Sequence, residues 1–336
     1  MTERILVVGP SWVGDMVMAQ SLYISLQQRF QNALIDVIAP PWSLSIVARM
    51  KHVNRGIALP LSHGEFGFST RRKLGRSLRD DRYTRAIVLP RSWKAALLPF
   101  FARIPQRTGY RGEMRMGLPN DIRVLDKSVL TMTVQRYVSL GLASESPQPP
   151  VIPNPRLTVD VDNQQRVIEA LGLEREQKAV ALMPGAEYGP AKQWPAKYFF
   201  SLAQMLVKRG FQVWVLGSEK EKRVGDDIAN SQPNVYNLCG KTKLEDVIDL
   251  LAATRFAVSN DSGLMHVAAA VDIPIVAIYG SSSADFTPPL TDKKYILSRD
   301  LECSPCFERH CPLGHYRCLK ELRPGHVLDT ISSLMD

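Results

Sequence analysis

VVGPSWVGDMV (residues 7–17) places Gly9 and Gly14 at the spacing of a phosphate-cradling loop. Asp15 and Met16 stand where such a loop needs Lys followed by Ser or Thr. A carboxylate at that place would repel phosphate, but it could take a proton from an attacking hydroxyl. Asp15 also falls in the first turn of a predicted helix, where an acid is stabilised by the helix dipole whether or not it does chemistry.

Two loops in the second half suit an anion. SNDSGLMHVAAA (259–270) reads as a strand end, a polar turn and a small-residue helix beginning near Gly263. The first N–H groups of a helix have no internal partner and carry the positive end of its dipole, which suits phosphate. Ser262 and Gly263 allow close backbone approach, with Leu264 next in the turn. Asp261 can cap the helix and accept hydrogen bonds from sugar hydroxyls. His266 lies one turn in on the face of Gly263, where a packed histidine is the commoner outcome. MPGAEYGPAKQWP (183–195) is a long loop after a predicted strand, and Lys192 in it could neutralise a phosphate.

Two other patterns are weaker. Asp160-Val-Asp162 has the spacing of a metal-binding acid pair, but its place before a helix starting near Asn163 favours an N-cap. CSPCFERHCPLGHYRC holds Cys303, Cys306, Cys311 and Cys318 with His310 and His315, a zinc or disulfide-like signal. The second spacing is loose for a zinc ribbon, and in an expected cytoplasmic chain reduced, unligated thiols are favoured.

The elements that must position these loops alternate. RILVV (4–8), LIDVIA (34–39) and AIVLP (86–90) read as strands, and 13–29, 68–79, 92–102 and 127–141 as helices. After five prolines between 147 and 155, which read as a semi-rigid linker, the rhythm restarts. Strands are expected at 179–184, 212–217, 256–260 and 274–280, with helices at 195–209, 219–230, 244–253 and 262–271. This predicts an α/β protein of two Rossmann-like parallel-sheet domains, 1–150 and 151–336, with ligands at the carboxyl ends of the strands.

Composition narrows the class. The chain has 336 residues, 45% hydrophobic and 22% charged, the make-up of an ordinary globular protein. No apolar run reaches the ~18 residues of a membrane span. The N-terminus enters a strand directly, without a secretory pattern, so a cytoplasmic protein is expected. Residues 1–150 carry a net +11 and residues 151–336 a net −2. Within 71–115 there are 13 basic and 3 acidic residues, which favours a basic surface for an anionic partner: nucleic acid, a phosphorylated glycolipid or an anionic membrane leaflet.

GPSWVGDM (9–16), RTGYRGEMR (107–115), NDIRVLDK (120–127), PGAEYGPAKQWP (184–195), NDSGLMHVAAA (260–270) and YGSSSADFTPPL (279–290) together resemble glycosyltransferase family 9, the ADP-heptose:lipopolysaccharide heptosyltransferases. The AEY before Lys192 places the resemblance nearest the type II branch. It implies a GT-B fold, two Rossmann-like domains facing across a cleft, with the last helix a candidate to pack back on the N-terminal domain. It also implies ADP-L-glycero-D-manno-heptose as donor, held by the C-terminal domain. A heptosylated Kdo–lipid A inner core would be the acceptor, held by the basic N-terminal domain at the inner face of the inner membrane.

Carried over by the same resemblance, Asp15 would be the general base and Lys192 would stabilise the departing diphosphate. Ser262, Gly263 and Leu264 would offer backbone N–H groups to that diphosphate. Asp261 and His266 would contact the heptose or its phosphate, and Glu221 and Thr242 would lie near the nucleoside. Ser11, Gly14, Arg111 and Arg115 would meet the acceptor. Transfer would invert the anomeric centre and need no metal or other cofactor. The alternatives are a type I heptosyltransferase, another GT-B nucleotide-sugar enzyme, or a basic nucleic-acid-binding protein. Nucleic acid is disfavoured because residues 71–115 show no helix-turn-helix or aromatic-interleaved stacking motif. A dehydrogenase is disfavoured because no G-x-G-x-x-G follows a predicted strand.

Overall fold

The computed structural model describes residues 2–62 and 64–335. The chain divides into two compact units, 1–155 and 156–336. In the first, β1 (Arg4–Val8), β2 (Leu34–Ala39), β3 (Arg55–Ala58), β4 (Arg85–Val88), β5 (Gln106–Tyr110) and β6 (Asp121–Arg123) form a parallel sheet. Its order is β3-β2-β1-β4-β5-β6. Around it lie α1 (Val13–Arg29), α2 (Leu44–Ala48), α3 (Phe68–Ser77), α4 (Trp93–Phe101) and α5 (Thr133–Gly141).

The second unit opens with α6 (Val161–Ala170). Its parallel sheet comprises β7 (Ala179–Met183), β8 (Gln212–Val215), β9 (Val235–Asn237), β10 (Phe256–Asn260), β11 (Ile275–Ile278) and β12 (Lys294–Leu297). The order is β12-β11-β10-β7-β8-β9, which repeats the first sheet's topology. The remaining helices are α7 (Ala196–Val207), α8 (Lys222–Ala229), α9 (Leu244–Ala252), α10 (Gly263–Ala270), α11 (Arg317–Lys320) and α12 (Pro324–Met335).

In each sheet the strand order reverses between two neighbours, β1 and β4 in one, β7 and β10 in the other. Connections leave such a pair in opposite directions and open a crevice at the carboxyl ends. The loops after β1, β7 and β10 are the ones whose residues suggested chemistry. The central strands are dry: β1 is buried from Ile5 to Val8, and all of β7, β10 and β11 is buried.

The structure departs from the expected helix limits at two starts. The helix expected from 127 begins at Thr133, because Asp126 accepts from the Ser128 N–H and hydroxyl in a local turn. The Gln135 side chain then accepts from the Met132 N–H, at 2.8 Å, and fixes the helix start. The helix expected over 219–230 opens with a single 3₁₀ turn, Glu219–Glu221, before α8. Val327 and Ile331 of α12 are fully buried in the core of the second unit, where the helix packs on α7 and β11.

Among the described residues, no helix is long and apolar enough to cross a membrane.

Candidate active site

Asp15 enters the first turn of α1 directly after β1 and the short loop Gly9–Trp12. Gly9 must be small, since a Cβ there would lie 2.8 Å from the Met16 side chain and 3.0 Å from the Ile38 carbonyl oxygen. This close approach tucks the loop against β2 and sets the direction of α1. Asp15 is partly exposed and hydrogen-bonds Tyr137 of α5, a residue the sequence did not suggest. Burial and the Asp15 charge push the Tyr137 hydroxyl well above its usual range, so it stays protonated and donates. Gly14 is buried beneath this turn, and Ser11 is partly exposed with its carbonyl accepting from the Trp42 indole at 3.4 Å.

The two arginines assigned to the acceptor differ. Arg111 is exposed. Arg115 is a correction: it is 3% exposed and donates to the Pro90 and Tyr110 carbonyls. It ties the 111–118 loop to the ends of β4 and β5. Gly112 makes the same fit possible, because a Cβ there would lie 2.3 Å from the Arg91 carbonyl oxygen.

In the second unit, the loops after β7 and β10 meet. Lys192, in the 3₁₀ turn Pro190–Lys192, places Nζ 2.5 Å from Asp261 Oδ2. Ser282 Oγ donates to the same oxygen at 2.5 Å. Asp261 is buried, so these two donors compensate the loss of water around its charge. The carboxylate in turn holds the lysine in place. Lys192 Nζ also lies 5.0 Å from the centre of the Tyr188 ring.

Asn260 braces this arrangement from below. Its side-chain oxygen accepts from the Trp194 N–H at 3.0 Å and its amide donates to the Pro184 carbonyl at 2.6 Å. One buried side chain thereby fastens both ends of the lysine loop to β10. Asn260 and Ser282 were legible only as members of quoted stretches. Their signal was position, each lying at or just beyond a strand's carboxyl end.

Ser262 is the N-cap of α10, with no side-chain capping bond, and Ser262, Gly263 and Leu264 are partly exposed. Their backbone N–H groups suit an anion. His266 is buried, and desolvation lowers its pKa to about 4, with Asp261 opposing and Lys192 assisting. It is therefore a neutral imidazole near pH 7. The unfolded chain takes up that proton near 6.5 and the folded chain only near 4, so stability is complete above 6.5 and falls as pH drops between them. The loss is about 3 kcal/mol. Denaturant titrations at pH 7 and pH 4.5 should show a smaller acid loss for His266→Gln than for the wild-type chain; equal losses would refute the assignment.

Glu221 lies against Gly185 and Gly217, where an added Cβ would approach its side chain to 3.0 and 2.9 Å. Its Oε2 accepts from the Ser218 N–H and hydroxyl, leaving Oε1 beside Gly185. Thr242 has a buried hydroxyl with no hydrogen-bond partner.

The weaker patterns resolve structurally. Asp160 Oδ1 accepts from the Asn163 N–H at 3.0 Å and caps α6. Cys303, Cys306, Cys311 and Cys318 line one small hollow with Ala191 and Ser281, all four as free thiols. Among the described residues, no group of three or more His, Cys, Asp or Glu is arranged to hold a metal ion. The segment also braces the lysine loop: Ala191 N–H donates to the Arg309 carbonyl and Phe307 N–H to that of Ser281.

Residues 71–317 match the family described as glycosyltransferase family 9 (heptosyltransferase). The chain is 45% identical to lipopolysaccharide heptosyltransferase 2 of Salmonella typhimurium, covering 99% of this chain and 98% of that one. It is 41% identical to lipooligosaccharide heptosyltransferase 2 of Haemophilus influenzae, covering 99% of each. Among solved structures, the ADP-heptose LPS heptosyltransferase II of E. coli superposes with a TM-score of 0.87 at 42% identity, covering 99% of this chain and 98% of that one.

Proposed function

The chain belongs to glycosyltransferase family 9, the heptosyltransferases, and from that premise we propose the reaction it performs. It transfers L-glycero-D-manno-heptose from ADP-heptose to the heptosylated Kdo–lipid A inner core of lipopolysaccharide. The second unit takes the donor and the first the acceptor. The observation that carries this reading is the partly exposed Lys192 held on the buried Asp261–Ser282 pair beside the open N-terminus of α10. It is a fixed cation next to unpaired backbone donors, the equipment for a leaving diphosphate.

In the proposed step, Asp15 accepts the proton of an acceptor hydroxyl as that oxygen bonds to the anomeric carbon. The bond from this carbon to the phosphate oxygen of ADP breaks at the same time, with inversion, and ADP departs carrying the electron pair. Lys192 and the N–H groups of Ser262, Gly263 and Leu264 stabilise the charge on that diphosphate. Glu221 Oε1 and the unpartnered Thr242 hydroxyl serve the nucleoside. Asp261 acts by positioning Lys192, and neutral His266 can donate one hydrogen bond to the donor. Ser11, Gly14 and Arg111 meet the acceptor, with Arg115 holding their neighbouring loop. No metal takes part. The acceptor is lipid-borne, so the protein works as a peripheral protein on the cytoplasmic face of the inner membrane.

The test is ADP release from ADP-L-glycero-D-manno-heptose with monoheptosylated Kdo₂–lipid A. Release should depend on the acceptor and survive EDTA. Loss of turnover in EDTA, restored by a divalent cation, would overturn the metal-free step. Release with unheptosylated Kdo₂–lipid A alone would reassign the acceptor, and silence with both would refute the reaction.

A further inference from the structure

The first unit carries a surface on which the proposed step places no residue. Trp93 opens α4 just beyond the carboxyl end of β4, and its ring lies 4.8 Å from that of Phe66. The ring contacts continue from Phe66 to Phe68 at 5.8 Å, to Phe101 at 5.6 Å and to Phe100 at 5.6 Å. The result is an aromatic ridge along the α3–α4 pair. It is no closed core: Phe66, Phe68, Trp93 and Phe100 are each about two-fifths exposed. Four large rings open to water on one face are an unusual expense of apolar surface for a water-facing helix pair.

At its far end the ridge meets concentrated positive charge. Arg79, Arg103, Arg107, Phe100, Phe101 and Pro105 line an open hollow. Among the described residues, none of these three arginines forms an ion pair with a carboxylate. Arg79 and Arg107 hold their places by donating to the Phe101 and Leu118 carbonyls, at 2.9 and 2.6 Å. Desolvation and the like charges of Arg103 and Arg76 lower the pKa of Arg79. Arg103 has a φ of +56°, in the left-handed region that favours glycine. Like charges gathered without counter-charge are relieved by an anionic surface, and exposed rings beside them suit the interfacial zone of a bilayer.

We propose that the α3–α4 face, with its aromatic ridge and arginine hollow, docks on an anionic phospholipid bilayer. The rings enter the headgroup boundary while the arginines meet lipid phosphates. Charge complementarity selects this occupant: Arg79, Arg103 and Arg107 gather at the hollow, and they belong to the stretch 71–115, whose 13 basic residues stand against 3 acidic ones although Arg71 and Arg115 are buried. It supplies the membrane contact that the reaction above requires of a lipid-borne acceptor, and rests on that reading only for its biological purpose.

The test uses the full chain and sedimentation with vesicles of phosphatidylcholine alone or mixed with phosphatidylglycerol. These vesicles contain no acceptor sugar, so the result stands or falls apart from the transfer assay. The protein should pellet with the mixed vesicles, less so in high salt, and remain in solution with phosphatidylcholine. Each cationic side chain at such a surface is worth about fivefold in partitioning. Arg103→Glu should therefore reduce binding by about tenfold or more, and Phe100→Ser should reduce it at unchanged charge. Both variants should keep the wild-type melting temperature and the wild-type rate on a delipidated, water-soluble acceptor. Wild-type binding by both folded variants would overturn the proposal, as would equal binding to neutral vesicles. Binding to a duplex oligonucleotide with none to vesicles would overturn it in favour of nucleic acid.

Discussion

Asp15→Asn is expected to lower kcat by about a hundredfold to ten-thousandfold, the span attributed to a positioned general base. The KM for ADP-heptose should change little, because the residues proposed to bind the donor are left untouched. Asn preserves the shape of the carboxylate and can still accept from Tyr137, so helix packing is retained while the basic oxygen is lost. The N-terminal turn of α1 favours the ionised acid, and the Tyr137 hydroxyl fixes its direction. Steady-state rates and donor binding measured on the same preparation check this. A rate within about tenfold of wild type, or a matching loss of donor affinity, would remove Asp15 from the role of base.

Lys192→Ala should have the second largest effect, about a hundredfold to a thousandfold on kcat, as for loss of one preorganised charge-stabilising group. It has a structural consequence too. Asp261 would keep its charge in a buried place with Ser282 as the donor that remains in this group. Stability should fall by about 1–3 kcal/mol. Lys192→Ala combined with Asp261→Asn separates the two effects, since removing the buried charge should restore stability without restoring the rate. Recovery of turnover in that double variant would show that Lys192 acts only as the counter-ion of Asp261. Melting curves and single-turnover rates for the wild type and these two variants distinguish the outcomes.

Much of the fold was legible because the central strands are buried on both faces and read as unbroken apolar runs. β1, β2 and β10 match their expected limits, as does α1. The strands that escaped notice lie mostly at sheet edges, where half the residues face water. β3 reads RGIA, β6 DIR and β12 KYIL, and none has the length or apolar density to stand out. β5 is interior yet also escaped, because QRTGY satisfies its polar side chains locally. Thr108 donates to Asp121 on β6, and Arg107 to the Ile104 and Leu118 carbonyls.

The site was legible to a different degree. Strand-end position pointed to Lys192 and Asp261, and the structure brings them together. Arg115 misled because a basic residue in a glycine-containing loop looks the same in sequence whether it faces a ligand or the protein's own carbonyls. The aromatic ridge was hidden for a related reason: Phe66 and Phe68 precede the basic run, so rings and arginines interleave in space more than in sequence.

The double tie made by Asn260 has a consequence for the timing of order. A loop of this length, rich in glycine and proline, ordinarily samples many shapes, and a cation carried on it would have to be gathered into place whenever substrate arrived. Here the gathering is done during folding, since Pro184 and Trp194 are both secured to the end of β10. The entropy of the loop is surrendered once in the life of the molecule, and no turnover repeats the loss.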